Sequence, residues 1–210
     1  MGRYSNKISQ QVPSTETTVA PVVASVAPVF PVGWPTEFPK PVIGLELEGV
    51  IIQDIGHPLT SPDQIQFIPG SLEAIKNLRL AGHRLMIITD QPGIRTGAKS
   101  QMQMDSILQS LMQSFGYAGI MSIDGCLYST SDLKEDMFAK PNIGMFQRAA
   151  TEGGIIWKGG WFVGHQQKDV EAAKKIGATP VIVRTGLWKS SKGKQPLIFD
   201  NLLEFSKTLL

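Results

Sequence analysis

The chain has 210 residues, a formal net charge of +2 and a single cysteine, Cys126. The near-balanced charge gives no sign of a nucleic-acid binder, which usually carries a basic patch. One cysteine excludes both an intrachain disulfide and a zinc site built from several thiolates. The apolar run 19–32 is interrupted by Pro21, Pro28 and Pro31 and is too short to cross a membrane as a helix. We therefore expect a soluble, cytoplasmic protein without zinc, alone or as part of a larger assembly.

Residues 1–41 differ in composition from the rest of the chain. They hold seven prolines among Val, Ala, Ser and Thr. Because proline fixes φ and removes backbone donors, the segment is predicted to be extended. Two interpretations stay open: a tail whose aromatic side chains pack loosely on the domain, and an arm that docks on a protein partner through Phe30, Trp34 and Phe38. Residues 42–210 are predicted to form one separate domain.

From residue 42 onward, apolar runs typical of buried strands alternate with helical patterns. Repeated βα units of this kind predict a mainly parallel sheet with helices on both faces. Five strands are predicted, at 42–47, 84–89, 119–123, 161–163 and 180–184. Helices are predicted at 71–80, 104–115, 142–152, 169–176 and 202–209.

Polar and charged side chains collect where these strands end, which is where parallel α/β sheets carry their sites. A hydroxyl, a lysine and several carboxylates in one crevice suit phosphate and a hard divalent cation. Each of these residues alone is more often a solvated surface group, so the prediction depends on their occurring together. The candidates are Glu46, Glu48, Thr89, Asp90, Lys140, His165 and Asp169.

Four motifs, in an order that is specific, resemble those of the haloacid-dehalogenase-type (HAD) phosphatases. The run LELEGVI at 45–51 resembles the first motif, an apolar strand followed by DxDGV, and 67–97 resembles the second, a strand that ends TNQxGIxRG. AKPNIGMF at 139–146 is similar to the third motif, and 161–186 is similar to the fourth, GDxxxDxxAAxxAG. The likeness covers 42–188 and lies with the histidinol-phosphate and heptose-bisphosphate phosphatase branch. Polynucleotide 3'-phosphatases share much of it.

This resemblance implies a Rossmann-like, three-layer α/β fold with a five-stranded sheet and a minimal cap. It also implies a role for each candidate. Glu46 takes the position of the nucleophile and Glu48 that of the general acid and base, while Thr89, Asp90 and Lys140 would hold phosphate. The metal-ligand positions are Glu46, Glu48, His165 and Asp169.

Three positions depart from the family pattern, which has aspartate where this chain has Glu46, Glu48 and His165. One extra methylene moves a carboxylate forward by roughly an ångström or more, and a misplacement of that order costs about a hundredfold in rate. Mg²⁺ prefers oxygen ligands in octahedral geometry, so imidazole is a poor replacement for a carboxylate. These three replacements therefore disfavour Mg²⁺ binding without excluding it.

Three functions stay open, in order of preference. The first is a pseudophosphatase, a HAD fold kept as a structural or interaction module without turnover. The second is a Mg²⁺-dependent phosphomonoesterase that uses Glu46 and acts on a small phosphorylated metabolite or a polynucleotide 3'-phosphate. The third is a protein that binds a phosphate ligand without turning it over.

Overall fold

The computed structural model describes residue 38, residues 40–189 and residues 196–210. Within these ranges, six strands form one parallel sheet, and five helices cover it. The strands are β1 (Lys40–Leu45), β2 (His83–Asp90), β3 (Gly125–Ser129), β4 (Trp161–Gly164), β5 (Thr179–Val183) and β6 (Leu197–Phe199). The helices are α1 (Ser71–Leu80), α2 (Gln101–Tyr117), α3 (Gly144–Gly153), α4 (Gln167–Lys175) and α5 (Leu202–Lys207).

The sheet has the order β3-β2-β1-β4-β5-β6, which places β1 between β2 and β4. Successive side chains of a strand point to opposite faces. In β2, Leu85 and Ile87 pack into a core shared with α1, α2 and α5. Met86 and Ile88 pack into a second core, shared with α3 and α4. The two cores lie on either side of the sheet and confirm the predicted three-layer α/β fold.

The boundaries of the third strand differ from the prediction. The sequence favoured 119–123, whereas β3 starts at Gly125, opposite Met86 of β2. The Asp124 side chain explains the shift, because its Oδ2 accepts a hydrogen bond from the Leu85 N–H at 2.8 Å. Backbone pairing with β2 therefore begins at Asp124 itself, whose N–H donates to the Leu85 carbonyl at 2.8 Å.

A sixth strand, β6, extends the predicted five-stranded sheet by pairing with β5 in parallel. It has only three residues, too few for an apolar pattern to indicate a strand.

Loops rather than an inserted domain cover the carboxyl ends of the strands in the described part of the chain. Residues 46–70 hold one 3-10 turn, Pro62–Gln64, and residues 130–143 hold no helix or strand. This arrangement agrees with the predicted minimal cap. No helix in the described ranges is long and apolar enough to cross a membrane.

The predicted N-terminal arm falls largely outside the described residues, as do Phe30 and Trp34. Its docking on a partner stays a prediction. Phe38 is described and partly buried, and the Arg79 Cζ atom lies 3.6 Å from the centroid of its ring. That distance is within the range of a cation–π contact. β1 begins at Lys40, inside the segment that the sequence assigned to the arm.

Candidate active site

Glu46 directly follows β1 at the centre of the sheet, and its backbone is fixed there. Its N–H donates to the Val163 carbonyl of β4 at 2.9 Å, which continues the pairing of Leu45 with Val163. Gly49 then turns the chain with a φ of 77°, in the left-handed region that glycine adopts without strain. The Glu46 side chain is buried. It therefore faces the carboxyl edge of the sheet rather than bulk solvent.

A buried threonine hydroxyl joins the two glutamates. Thr89 Oγ1 lies 2.6 Å from Glu46 Oε1 and 3.2 Å from Glu48 Oε2. Because a hydroxyl carries one proton, it donates to one carboxylate at a time. The two glutamates therefore converge on this hydroxyl.

The Lys140 ammonium lies between the carboxylates of Glu46 and Asp169. Its Nζ is 2.8 Å from Asp169 Oδ1 and pairs directly with Glu46 Oε2. Burial lowers the pKa of Lys140 to about 8, against the opposing effect of Asp169. Lys140 therefore remains largely protonated at neutral pH and links the end of β1 to α4.

Asp169 is held in the first turn of α4 by the backbone as well as by Lys140. Its Oδ2 accepts hydrogen bonds from the N–H groups of His165 at 3.0 Å and Gln166 at 2.9 Å. Burial alone would raise the pKa of Asp169, but the charge of Lys140 leaves it below its usual value. Asp169 is therefore a fixed, ionised group.

His165 occupies a narrow slot between the loops that follow β1 and β5. A side chain at Gly49 would bring its Cβ to 2.7 Å from His165 Nδ1, and one at Gly186 would also collide with the ring. Burial lowers the pKa of His165, so the ring is neutral at pH 7. Its Nδ1 accepts from the Leu187 N–H at 3.0 Å. A neutral imidazole has one acceptor nitrogen, and this hydrogen bond occupies it, while the Gln166 amide nitrogen lies 3.2 Å from Nε2.

Two residues that the sequence did not single out hold Glu48. Gln91 Nε2 lies 3.0 and 2.9 Å from the two Glu48 oxygens, and the Lys99 ammonium donates to Gln91 Oε1. The glutamine of TNQxGIxRG matches Gln91 and could have indicated it. Nothing in the sequence marks Lys99, although its side chain is only 2% exposed.

Asp90, the last residue of β2, interacts with two lysines. Its Oδ1 accepts from the Lys140 N–H at 3.2 Å, and its Oδ2 pairs with the Lys168 ammonium at 2.7 Å. Burial raises the pKa of Asp90 to about 6, against the opposing effect of Lys168. Asp90 therefore positions groups around the site, and Lys168 joins Gln91 and Lys99 as a residue that the sequence missed.

The donor set, in this arrangement, does not fit Mg²⁺. Both Asp169 oxygens accept hydrogen bonds from Lys140 or backbone N–H groups, and the Glu46 oxygens contact the Thr89 hydroxyl and the Lys140 ammonium. The lone pair of His165 is also engaged. Among the described residues, no three His, Cys, Asp or Glu side chains are grouped so that they could hold a metal ion.

Comparison with known proteins identifies the family. A family model described as HAD-hydrolase-like matches residues 137–205. The chain is 31% identical over 172 residues to a D-glycero-β-D-manno-heptose-1,7-bisphosphate 7-phosphatase of Pseudomonas aeruginosa, covering 79% of this chain and 96% of the relative. The chain belongs to the heptose-bisphosphate phosphatase-like branch of the HAD superfamily. The enzyme of the same name from Vibrio cholerae is 30% identical over 182 residues, which is 81% of this chain and 97% of that protein.

Solved structures agree with this fold. The D,D-heptose 1,7-bisphosphate phosphatase of B. bronchiseptica, crystallised with magnesium and phosphate, has a TM-score of 0.72 at 22% identity, covering 81% of this chain and 98% of that one. The corresponding protein of Burkholderia thailandensis has a TM-score of 0.62 at 24% identity, covering 80% and 97%. At this level of identity the likeness establishes the fold alone.

Membership in this HAD branch corrects the first functional hypothesis. The pseudophosphatase with a structural role, inferred from Glu46, Glu48 and His165, is wrong, because relatives about 30% identical over nearly their whole length are named phosphatases. The geometry gives a physical reason. The longer side chain of Glu46 still contacts both Thr89 and Lys140, so the extra methylene has not separated it from the groups expected to hold phosphate.

Proposed function

We propose that the chain is a phosphomonoesterase that hydrolyses a small phosphorylated metabolite of the sugar-phosphate class. The observation that carries this proposal is the convergence of the Glu46 carboxylate, the Thr89 hydroxyl and the Lys140 ammonium at the centre of the sheet. A nucleophile and two donors for phosphoryl oxygens are the parts that phosphoryl transfer requires. The heptose-bisphosphate phosphatases among its relatives favour a sugar phosphate over a polynucleotide.

In the first step, a Glu46 oxygen attacks phosphorus and the ester P–O bond breaks, which gives a glutamyl phosphate, while the leaving oxygen takes up a proton and departs as an alcohol. Thr89 and Lys140 donate hydrogen bonds to the transferred phosphoryl group and stabilise its charge. Lys140 already lies beside Glu46, so little reorganisation is needed when charge moves from the carboxylate to the phosphoryl oxygens.

Glu48 handles the protons in both steps. It is partly exposed and is held by Gln91, so it can meet both the leaving group and water. Protonated Glu48 gives its proton to the leaving oxygen, and the resulting carboxylate then takes a proton from water. That water attacks the phosphorus of the glutamyl phosphate, releases inorganic phosphate and restores Glu46.

The test is turnover of an aryl phosphate and a panel of sugar phosphates by the full chain, with Mg²⁺ and with EDTA. We expect Glu46→Gln to lower the rate to background, since an amide is not a nucleophile towards phosphorus. Glu152→Gln is the matched control, because Glu152 is exposed on α3 and should leave the rate unchanged. Turnover that survives Glu46→Gln, or a wild-type chain that hydrolyses none of these esters, would overturn the proposal.

A further inference from the structure

Protein groups already pair with two of the carboxylates that would bind a divalent cation. Asp169 accepts three hydrogen bonds, from Lys140 and from the N–H groups of His165 and Gln166. A cation placed between Glu46 and Asp169 would have to displace the Lys140 ammonium, which is fully buried. Removing the partners of a buried charge is strongly unfavourable. Metal binding between these carboxylates therefore competes with the ion pairs that Lys140 forms with Glu46 and Asp169.

His165 adds a steric barrier. Its ring fills the slot between Gly49 and Gly186, and its acceptor nitrogen is bound to the Leu187 N–H. Coordination through that nitrogen would require the ring to leave a slot with no spare volume. The substitution of histidine at this position thus removes a ligand and also fixes the ring.

Three lysines lie among the carboxyl groups of the candidate site and supply its positive charge. Lys99 lies next to Gln91, Lys140 lies between two carboxylates, and Lys168 pairs with Asp90. A lysine as buried as Lys99, 2% exposed, is rare unless it serves a polar partner. The three ammonium groups face the carboxyl groups of Glu46, Glu48, Asp90 and Asp169. With all four ionised the formal charge is −1, and with Glu48 protonated, as the first step of the proposed mechanism requires, it is zero.

We propose that Lys99, Lys140 and Lys168 take the place of the magnesium held by the B. bronchiseptica relative, so that this chain binds phosphate without a metal ion. This inference rests on the proposed phosphatase function, since it concerns the same site. It assigns roles to Lys99 and Lys168, which lie outside the metal-ligand and phosphate-binding positions of the motifs. The positive charge that offsets the carboxylates would then come from lysine side chains of the fold.

The direct test is calorimetric titration of the full chain with Mg²⁺ and, separately, with inorganic phosphate. We expect no saturable Mg²⁺ binding up to concentrations of about 1 mM, where Mg²⁺ sites of ordinary affinity would be filled. The Kd for phosphate should be the same in EDTA as in Mg²⁺. Saturable Mg²⁺ binding that tightens phosphate binding would overturn the inference.

Two substitutions test the lysines themselves. Lys99→Met and Lys168→Met should each weaken phosphate binding in EDTA about tenfold, because each removes one positive charge near the anion. Lys174→Met is the control, since Lys174 is exposed on α4, and it should leave the Kd unchanged. Circular dichroism reports whether Lys99→Met folds. If it does not, the partly exposed Lys168 decides the test, and an unchanged Kd in that variant contradicts the inference.

Failure of this inference is distinguishable from failure of the proposed function. Turnover by the wild-type chain that requires Mg²⁺ contradicts metal-free binding and supports a phosphatase. Phosphate binding in EDTA without turnover of any ester supports the inference about the lysines and contradicts the phosphatase. Equal turnover in EDTA and in Mg²⁺ supports both.

Discussion

The Thr89 hydroxyl is the one uncharged group that contacts both glutamates of the cluster. Thr89→Val keeps the shape of this fully buried side chain and removes only the hydroxyl. We expect kcat to fall by about a hundredfold, the cost of deleting one donor to a developing negative charge, as measured in steady-state assays. Thr151→Val, at an exposed position on α3, is the control. A variant at position 89 that keeps the full rate would show that the hydroxyl does not contact the transferred group.

The slot around His165 gives a second prediction for single residues. Gly186→Ala places a methyl group against the His165 ring, so the free energy of unfolding should fall by about 1–3 kcal/mol, the usual cost of overpacking. Gly116→Ala in α2 is the matched control, since a Cβ there meets nothing within 4 Å. It should raise the free energy of unfolding by about 0.5 kcal/mol. Urea titration of both variants measures the difference, and equal effects would show that the slot is loose.

Among single residues, the sequence predicted the site groups at the strand ends. It missed the residues that hydrogen-bond to those groups. Glu46 and Thr89 could be placed because parallel strands deliver their last residues to one edge of the sheet. Lys99 could not, because it reaches the site through Gln91 from a loop, and no periodic pattern specifies where a loop side chain points. The orientation of His165 was also beyond the sequence, since it depends on the absence of side chains at Gly49 and Gly186.

Asp124 ties three elements together just before β3. Its carboxylate pairs with Arg79 of α1 at 2.6 Å and with Arg84 of β2 at 2.8 Å, and accepts from the Leu85 N–H. The Arg79 side chain is buried, so Asp124→Asn leaves a buried guanidinium without its counter-charge. We expect the free energy of unfolding to fall by about 3 kcal/mol, measured by denaturant titration.

A surface ion pair serves as the control for Asp124. Asp132 pairs with Arg95 at 2.7 Å, but the two side chains are 52% and 41% exposed. Asp132→Asn should therefore change the free energy of unfolding by less than about 1 kcal/mol. If the free energy of unfolding falls equally in the two asparagine variants, burial does not strengthen the ion pairs of Asp124.

The contacts of Asp124 show why the boundaries of strands and helices were harder to predict than their presence. The helices were predictable because apolar residues recur at helical spacing over several turns, as in α2. The start of β3 depends on a side chain, Asp124, that takes the place of a backbone partner for Leu85. β6 is defined only by its pairing with β5. Such boundaries are set by contacts between distant segments.

For the whole molecule, buried histidines predict a loss of stability in acid. His83 Nδ1 donates to the Pro41 carbonyl at 2.7 Å, and its buried Nε2 has no hydrogen-bond partner among the described residues. Burial lowers the pKa of His83 below the ordinary 6.5. The folded state then binds fewer protons than the unfolded state. The stability that neutral His83 contributes is therefore complete above pH 6.5 and is lost as the pH falls through the lowered pKa.

His83→Asn tests this dependence, since the asparagine amide can still donate to Pro41 but does not titrate. Between about pH 7 and about pH 5, the free energy of unfolding should fall less in this variant than in the wild type. His165, whose pKa is also lowered by burial, accounts for part of the remaining fall. His57→Asn, at an exposed position, should behave like the wild type, and a parallel fall in all three proteins would exclude His83 as the source.

The central position of β1 has a consequence for how the protein is made. Glu46 is translated before its partners, because β1 has β2 on one side and β4 on the other, and Leu45 pairs with Val163. Lys140 and Asp169 are also translated late. A nascent chain that stops before β4 thus leaves one edge of β1 unpaired, and one that stops before Lys140 also leaves Glu46 without its counter-charge. The site can form only after Asp169 has been translated, so fragments that end before it have neither a finished sheet nor a complete set of site residues.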